Sequence, residues 1–267
     1  MIEATLERFG EAYAAHREAE GRRFAGSELA ALPYLSDGPL ARQWSVRART
    51  FESFVRRVLT PERSRLLRPL TILDLGAGNG WLSYRAAIEG DTAIALDIRT
   101  DSVDGLGAAA ALVRQTEGRM RCLSASFQAI PLEDSCVDVA VFNASLHYAT
   151  DLEAAFGEAT RTVRKGGCIA ILDSPFYLGE EDGLAMVREK HAHAVDRFGE
   201  AAGILLGPRF IEFLTPERLT ASSRAWDLQW RRHRVAYPLW YELRPVRAVF
   251  TRGRRPSRFD LWVARRP

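Results

Sequence analysis

Short apolar runs alternate with stretches of helical spacing through the middle of the chain. Five of these runs have the length of a buried strand, at residues 70–75, 93–96, 120–123, 137–142 and 168–172. Helical stretches separate them at residues 81–89, 101–115 and 151–163, and we expect the last helix to end at Lys165-Gly166-Gly167. Strands that alternate with helices are typical of a parallel sheet covered on both faces. The pattern predicts an α/β fold with a Rossmann-like, doubly wound, mostly parallel sheet.

The chain before the first strand has helical spacing instead. Residues 1–20 and 40–59 place apolar side chains on one helical face each. We therefore predict an N-terminal helical extension over residues 1–64, on the substrate side of a main domain at residues 65–267.

The alternation also stops after the fifth strand. Residues 176–214 contain one helical stretch, at 183–198, and no strand pattern, which predicts a helical insertion. Period-two alternation then returns at residues 226–232 and 259–263. It predicts two further strands that pair antiparallel at the sheet edge and complete a seven-stranded sheet.

Composition is ordinary for a globular protein. The 267 residues are 47% hydrophobic and 27% charged, and no apolar run reaches the roughly 20 residues of a membrane span. The first residues also lack the apolar region and cleavage site of a secretion signal. We therefore expect a cytoplasmic protein with no membrane partner.

Charge is distributed unevenly although the net charge is only +3. Residues 224–267 contain 12 arginines against three acidic residues. Guanidinium groups suit phosphate and carboxylate, so this end could contact an anionic substrate or a nucleic acid. A solvated basic surface explains the same pattern, and we favour that interpretation.

The sequence predicts no metal site. Cys122, Cys136 and Cys168 lack the spacing of metal-binding cysteines. His191 and His193 stand two residues apart, so on a helix their side chains lie on different faces.

The end of the first strand carries the strongest chemical signal. Residues 72–82 run from a buried strand through a glycine-rich turn into a helix, whose first N–H groups are free donors. Gly76, Gly78 and Gly80 allow a close approach of the backbone to a ligand. A dinucleotide fingerprint requires glycine or alanine where this chain has Trp81. The pattern therefore disfavours a nicotinamide cofactor.

A carboxylate follows at the end of the second strand. Asp97 lies 23 residues after Asp74, where it can accept hydrogen bonds from two ribose hydroxyls. Capping the next helix is the alternative role for Asp97, although Asp101 is better placed for that.

Together with the glycine turn, four segments resemble the class I S-adenosylmethionine-dependent methyltransferases, and most closely the branch of ubiquinone and menaquinone methyltransferases. The similar segments are residues 125–132, 133–141, 143–148 and 164–167, in the family's order and spacing. The resemblance covers roughly residues 65–175. The chain departs from the family at Ser126, Cys136 and Gly166, where aspartate, phenylalanine and proline are usual.

The resemblance implies S-adenosyl-L-methionine as cofactor and S-adenosyl-L-homocysteine as product. The glycine turn would lie against the methionine part, through Gly76, Ala77, Gly78, Asn79 and Gly80. Asp74 would act near the ammonium group, directly or through water, and Asn143 would face the methionine or the sulfonium. Asp97 would hold the ribose. The adenine would meet Ile98, Ser126 and Phe127.

Residues for the acceptor side are less marked. His147 is the candidate general base, because the end of the fourth strand faces the methyl group in this fold; a structural role is equally open. Tyr177 leaves the fifth strand where a substrate would lie. Tyr34, Trp44 and Arg47 could close the cofactor from the other side, although packing explains such aromatic side chains as well.

The resemblance implies a methyltransferase, and the helical insertion favours a cavity for a small-molecule acceptor. Two alternatives stay open. One is an RNA or protein methyltransferase that uses the arginine-rich end, although the N-P-P-Y type of segment is absent after the fourth strand. The other is a protein that binds the cofactor without transferring methyl.

Overall fold

The computed structural model describes residues 26–198 and 209–267, with residues 12, 14, 15, 18, 19, 21, 23 and 24 before them. The helix predicted at residues 1–20 thus lies almost entirely outside the described residues. Residues 199–208 of the predicted insertion also lie outside them.

Seven strands form one sheet: β1 Thr71–Leu75, β2 Thr92–Asp97, β3 Met120–Ser124, β4 Val137–Asn143, β5 Val163–Leu172, β6 Arg231–His233 and β7 Leu261–Arg265. Their order in space is β3-β2-β1-β4-β5-β7-β6. Strands β1 to β5 pair in parallel, and β7 lies antiparallel between β5 and β6. The predicted doubly wound sheet with an antiparallel strand at one edge is confirmed.

Helices cover both faces of the sheet: α1 Gly26–Ala31, α2 Ala41–Phe54, α3 Thr60–Leu66, α4 Trp81–Ile88, α5 Ala110–Val113, α6 Leu152–Thr162, α7 Glu180–Phe198, α8 Pro216–Ser223, α9 Leu239–Glu242 and α10 Arg244–Phe250. A π-helical turn, Val55–Leu59, joins α2 to α3. None of the described helices is both long and apolar enough to cross a membrane.

Two apolar clusters, one on each face of the sheet, form the core. Successive strand residues alternate between them, so Ile72 of β1 packs in one cluster and Leu73 in the other. Helices α2 and α4 contribute Phe54 and Leu82 to the first cluster, and α6 contributes Phe156 to the second. The near-continuous apolar runs of the strands follow from this burial on both sides.

The helix predicted at residues 101–115 is wrong over most of its length, since only α5 is helical there. The Asp101 carboxylate accepts the N–H groups of Val103 and Asp104 and closes a turn. A Cβ on Gly107 would lie 2.6 Å from the carbonyl oxygen of Thr100, so the chain folds back on itself here.

The predicted end of α6 at Lys165-Gly166-Gly167 is also wrong. The helix ends at Thr162, and β5 begins at once and includes these three residues. A Cβ on Gly167 would lie 2.6 Å from the carbonyl oxygen of Asp138 on β4, so this glycine permits close strand packing.

The late strand predicted at residues 226–232 is shorter and later. Trp226 ends a 3₁₀ turn, and Asp227 then adopts a left-handed conformation with φ +50° that interrupts an extended chain. Only β6 remains of that prediction, while the pairing of the two late strands is antiparallel as expected.

Arginines bind buried carboxylates at the amino ends of the strands. Asp138, the second residue of β4, accepts hydrogen bonds from Arg68, from Arg164 and from the N–H of Thr71. Burial raises the pKa of this carboxyl, but the hydrogen bonds outweigh it and lower the pKa to about 2. Asp91, just before β2, is bound in the same way by Arg63.

Candidate cofactor and acceptor site

Backbone hydrogen bonds attach the glycine turn to β2. The N–H groups of Gly76 and Ala77 both donate to the carbonyl oxygen of Leu96, at 2.8 and 2.9 Å. The N–H of Gly78 donates to Oδ2 of Asp97 at 2.7 Å. The turn and the end of β2 therefore form one unit at the carboxyl edge of the sheet.

Two glycines of this turn have a left-handed backbone and pack closely against the protein itself. With φ of +74°, a Cβ on Gly76 would lie 2.5 Å from the Cβ of Ser145. With φ of +73°, a Cβ on Gly80 would lie 2.6 Å from the Cε of Met120. We had interpreted these glycines as making room for a ligand. The structure shows that both positions also pack closely against other strands and loops.

Trp81 begins α4 as a buried core residue. Its ring meets those of Trp44 and Phe51 edge to face, with centroids 5.7 and 5.4 Å apart. Trp81 also lines the cavity described next, so α2 and α4 jointly form its wall.

A cavity of about 220 Å³, which we call the cofactor cavity after its predicted ligand, lies over the turn at the carboxyl edge of the sheet. The predicted residues on its wall are Gly76, Ala77, Gly78, Asn79, Asp97, Ile98, Ser126, Phe127 and Asn143, with Trp44 and Arg47 opposite. Asp74 and Gly80 lie behind the wall. The fold thus brings together the ends of four strands and the N-terminal helical region.

Sequence reasoning missed several wall residues: Arg99, Asp104, Gln128, Ala144, Ser145, Tyr148, Thr150 and Phe210. Gln128, Ala144, Ser145 and Tyr148 lie inside segments that resemble the family but had no predicted role, while Arg99 directly follows Ile98 and Thr150 stands two residues after Tyr148. Phe210 lies in the insertion and carries no sequence signal.

Asp97 presents a carboxylate to this cavity. Its Oδ1 accepts the N–H of Arg99 at 2.8 Å while Oδ2 accepts that of Gly78, so each oxygen keeps a further acceptor position. Burial raises the pKa of this carboxyl, against the effect of the two N–H groups.

Asp74 is fully buried beneath the turn. Its Oδ2 accepts the Ser83 hydroxyl at 2.9 Å, and its Oδ1 has no hydrogen-bond partner among the residues that the structure describes. Burial raises its pKa to about 7, with a further contribution from the negative charge of Asp97. Its predicted role near the ammonium group stays a prediction.

Asn143 ends β4 on the cavity wall. Its Oδ1 is buried and has no hydrogen-bond partner within the described part of the chain. A ligand with a hydrogen-bond donor at this point would satisfy that oxygen.

The other predicted residues lie away from this wall. Tyr34 is half exposed and lies against Arg85. His147 lies in the 3₁₀ turn that follows β4, where its ring packs on Tyr148, the neighbour that does line the cavity. Its role as a base stays a prediction. Tyr177 is buried beside a separate cavity of about 450 Å³, and its hydroxyl accepts a hydrogen bond from Arg254.

A third cavity, of about 350 Å³, lies between the other two. It shares Arg47 with the cofactor cavity, and it shares Tyr241 and Arg244 with the cavity beside Tyr177. We call the second and third cavities the acceptor-side cavities.

Asp173, which sequence reasoning missed, lines the cavity that adjoins the cofactor cavity. It directly follows β5, is buried, and has φ of +49°. Burial raises its pKa to about 6, while the Arg47 guanidinium and the Thr50 hydroxyl oppose that rise. The signal that identified Asp97, an acid where a parallel strand ends, applies equally here.

No cluster of three or more histidine, cysteine or acidic side chains fit to hold a metal occurs in residues 26–198 and 209–267. His191 and His193, which stand two residues apart in the sequence, both lie on α7.

Comparison with known proteins places the matched region over this site. Residues 73–171 match a family model described as a methyltransferase domain. The malonyl-acyl-carrier-protein O-methyltransferase of Pectobacterium atrosepticum is 33% identical over 101 residues, which is 38% of this chain and 37% of that protein. The chain thus spans little more than a third of the length of this relative.

Two solved structures share the fold over most of the chain. Geranyl diphosphate C-methyltransferase from Streptomyces coelicolor, in complex with Mg²⁺, geranyl diphosphate and S-adenosyl-L-homocysteine, has a TM-score of 0.54 at 14% identity. The alignment covers 89% of this chain and 88% of that one. The YcgJ protein from Bacillus subtilis has a TM-score of 0.50 at 18% identity, with 73% and 89% covered.

The family match, the strand order and the glycine turn beside Asp97 agree with one another. The likeness to the quinone-methylating branch is looser than the likeness to the superfamily. Residues 73–171 of this chain match a methyltransferase domain and lie within a sheet of Rossmann-like strand order.

Proposed function

We propose that this chain transfers the methyl group of S-adenosylmethionine to a small-molecule acceptor by in-line displacement. The observation that carries the proposal is the hydrogen bond from the Gly78 N–H to Asp97, which fixes a glycine turn beside a buried carboxylate on a cavity wall. The matched relative from Pectobacterium atrosepticum and the structural neighbour from Streptomyces coelicolor are both named for methyl transfer.

The cavity residues fit this cofactor. Asp97 would accept hydrogen bonds from the two ribose hydroxyls, because each of its carboxylate oxygens can accept one further hydrogen bond. The buried Oδ1 of Asn143 would accept a hydrogen bond from the methionine part. Ile98 and Phe127 offer apolar surface for the adenine, with Ser126 at its edge.

When bound, the cofactor supplies a methyl group on an electron-poor sulfur. The chain's own residues then have to orient the acceptor and exclude water, and orientation can contribute about 7 to 11 kcal/mol to such a step. Trp44 and Trp81 close one side of the cavity. Arg47 marks the place where the cofactor cavity meets the acceptor-side cavities.

A proton acceptor is needed only for some acceptors, and it then contributes about 10² to 10⁴-fold in rate. Asp173 and His147 are the two candidates. Asp173 lines the acceptor-side cavity, and with a pKa of about 6 it is mostly ionised at neutral pH. We therefore prefer Asp173 for this role over His147.

Internal pairing of arginines supports a small molecule over a nucleic acid. Five arginines of the basic end form ion pairs with acidic side chains of the same chain: Arg232, Arg234, Arg254, Arg258 and Arg265. Less of the basic charge is then available to phosphates than the sequence alone indicates.

Calorimetric titration with S-adenosylmethionine tests the proposal. We expect micromolar binding, and a loss of about 100-fold or more in Asp97→Ala, because two hydrogen bonds to a charged group contribute ~1.5 to 3 kcal/mol each. Asp134→Ala, at an exposed carboxylate, is the matched control and should bind like the original protein. A folded protein that binds NADH and not S-adenosylmethionine would refute the proposal.

Methyl transfer itself is tested by release of S-adenosylhomocysteine. We would incubate the protein with panels of small acids, phenols and amines, and separately with RNA. Release with a small molecule supports the proposal, and release with RNA alone contradicts it. Binding without release on any panel supports the alternative of a cofactor-binding protein that does not transfer methyl.

A further inference from the structure

Helices α9 and α10 carry an exposed apolar stripe, which consists of Leu239, Leu243, Val246, Val249 and Phe250. These side chains are between 49% and 83% exposed, and they are five of the twelve large apolar side chains that are exposed among the described residues. Leu243 directly precedes α10, and spacings of three and four residues from Leu243 through Val246 to Phe250 place these side chains on one helical face.

Helix α10 has no buried residue in its seven positions. A short helix gains little from its own hydrogen bonds and normally forms because one face packs on the protein. The apolar side chains of Val246, Val249 and Phe250 on α10 are instead at least half exposed. Exposed apolar surface of this kind marks an interaction site.

Arginines without acidic partners surround the apolar stripe. Within the described residues, no carboxylate lies at ion-pair distance from the side chains of Arg244, Arg247, Arg252 and Arg255. The Arg244 side chain donates to the carbonyl oxygens of Tyr241 and Ser257, and its Cζ lies 3.5 Å from the centroid of the Tyr241 ring. The charge of this face is therefore suited to an anionic partner.

We propose that this face docks on an anionic lipid surface, with α9 and α10 lying in the plane of the headgroups. An apolar stripe flanked by arginines is the arrangement that holds interfacial helices on acidic membranes. Each helix is far too short to span a bilayer of ~30 Å, since even the seven residues of α10 extend over only about 11 Å. Such docking differs from membrane spanning, and none of the described helices is long and apolar enough to span.

Other occupants fit the surface less well. A second copy of this chain would bring the same arginines together, which like charges oppose. A nucleic acid would use the arginines but leave the apolar stripe in water. Val246 and Val249 also line the acceptor-side cavity of about 450 Å³, so the docking face lies directly beside that cavity.

Sedimentation with lipid vesicles tests the proposal without reference to catalysis. We expect the full chain to bind phosphatidylcholine vesicles that contain phosphatidylserine, and to bind pure phosphatidylcholine weakly. Phe250→Asp should reduce binding at least tenfold, and Arg247→Gln about fivefold. Both side chains are exposed, so circular dichroism should show unchanged folding.

Two matched controls lie on other surfaces. Leu67→Asp introduces one negative charge at an exposed apolar residue, as Phe250→Asp does. Arg114→Gln removes an exposed arginine near the opposite edge of the sheet. Both should bind vesicles like the original protein. The proposal would be overturned if the original protein did not bind vesicles, or if Phe250→Asp bound them as well as the original protein does. It would also be overturned if the protein bound RNA and only Arg247→Gln weakened that binding. Calorimetry with S-adenosylmethionine reports separately on the cofactor site.

Discussion

Buried carboxylates at the two ends of the sheet differ in whether an arginine forms an ion pair with them. At the amino ends of the strands, Asp91 and Asp138 are each bound by arginine. At the carboxyl ends, the structure shows no ion pair to an arginine for Asp74, Asp97 or Asp173 among the described residues. Burial therefore raises the pKa of all three, to about 7 for Asp74 and to about 6 for Asp173.

The difference separates carboxylates that stabilise the fold from carboxylates that a ligand can stabilise. An arginine at hydrogen-bond distance compensates the desolvation of a buried charge within the protein. Without one, the charged form costs free energy until a cation or hydrogen-bond donor arrives. Perturbed pKa values of this kind are typical of functional sites, and the three carboxylates without an arginine ion pair all lie beside the cofactor and acceptor-side cavities.

The largest effect should come from Asp74→Asn. Because the folded state raises the pKa of Asp74 from 3.8 to about 7, ionisation of this carboxyl destabilises the protein as pH rises between these values. The variant lacks that charge. The free energy of unfolding of the variant minus that of the original protein should therefore increase by up to about 4 kcal/mol between pH 4 and pH 7. Above pH 7 this difference should stay constant.

Urea unfolding at several pH values measures this gain. Asp134→Asn, at an exposed carboxylate, is the control and should follow the pH profile of the original protein. Parallel profiles for Asp74→Asn and the original protein would show that the folded state does not raise the pKa of Asp74.

The opposite sign is expected at the other end of the sheet. Asp138→Ala removes the acceptor of two arginines and of the Thr71 N–H, and should lower the free energy of unfolding by about 3 kcal/mol at pH 7. The expected loss lies in the lower part of the usual range because Arg68 and Arg164 stay partly exposed. Since the folded pKa is depressed to about 2, this stabilisation is present above pH 4 and lost between pH 4 and pH 2.

Denaturant titration of Asp138→Ala beside Asp134→Ala checks this value. The exposed pair of Asp134 with Arg161 should contribute less than about 0.5 kcal/mol. Equal losses in the two variants would contradict the idea that arginine binding at the amino ends stabilises the fold.

The sequence predicts the cofactor end of the sheet better than the acceptor end, for a physical reason. The glycine turn and Asp97 are local signals, since each follows one buried strand by a short and regular spacing. The same is true of the strands themselves, whose apolar runs reflect burial on both faces. The failure at residues 101–115 has a local cause too, because the Asp101 turn competes with helix formation.

The acceptor end depends on contacts between distant parts of the chain. Arg47 on α2 meets Asp173 after β5, and the Thr50 hydroxyl hydrogen-bonds to that of Tyr237 at 2.8 Å, 187 residues away. No period or spacing in the sequence carries such pairs. The amino-end arginines are equally hidden, because Arg68 and Asp138 stand 70 residues apart.

The smallest effect sharpens the comparison from within the carboxyl end. Asp151 also lies on that side of the sheet, but it is exposed, and its carboxylate caps α6 by accepting the N–H of Ala154 at 3.1 Å. Asp151→Ala should lower the free energy of unfolding by about 1 kcal/mol, and Asp151→Ser should retain most of it, because serine also caps helices. Affinity for S-adenosylmethionine should not change in either variant. For Asp74→Asn we expect the free energy of unfolding to rise relative to the original protein as pH rises. If Asp151→Ala behaved in the same way, the position of a carboxylate at this end of the sheet would determine the sign of the stability change. Burial without an arginine would then not be the cause.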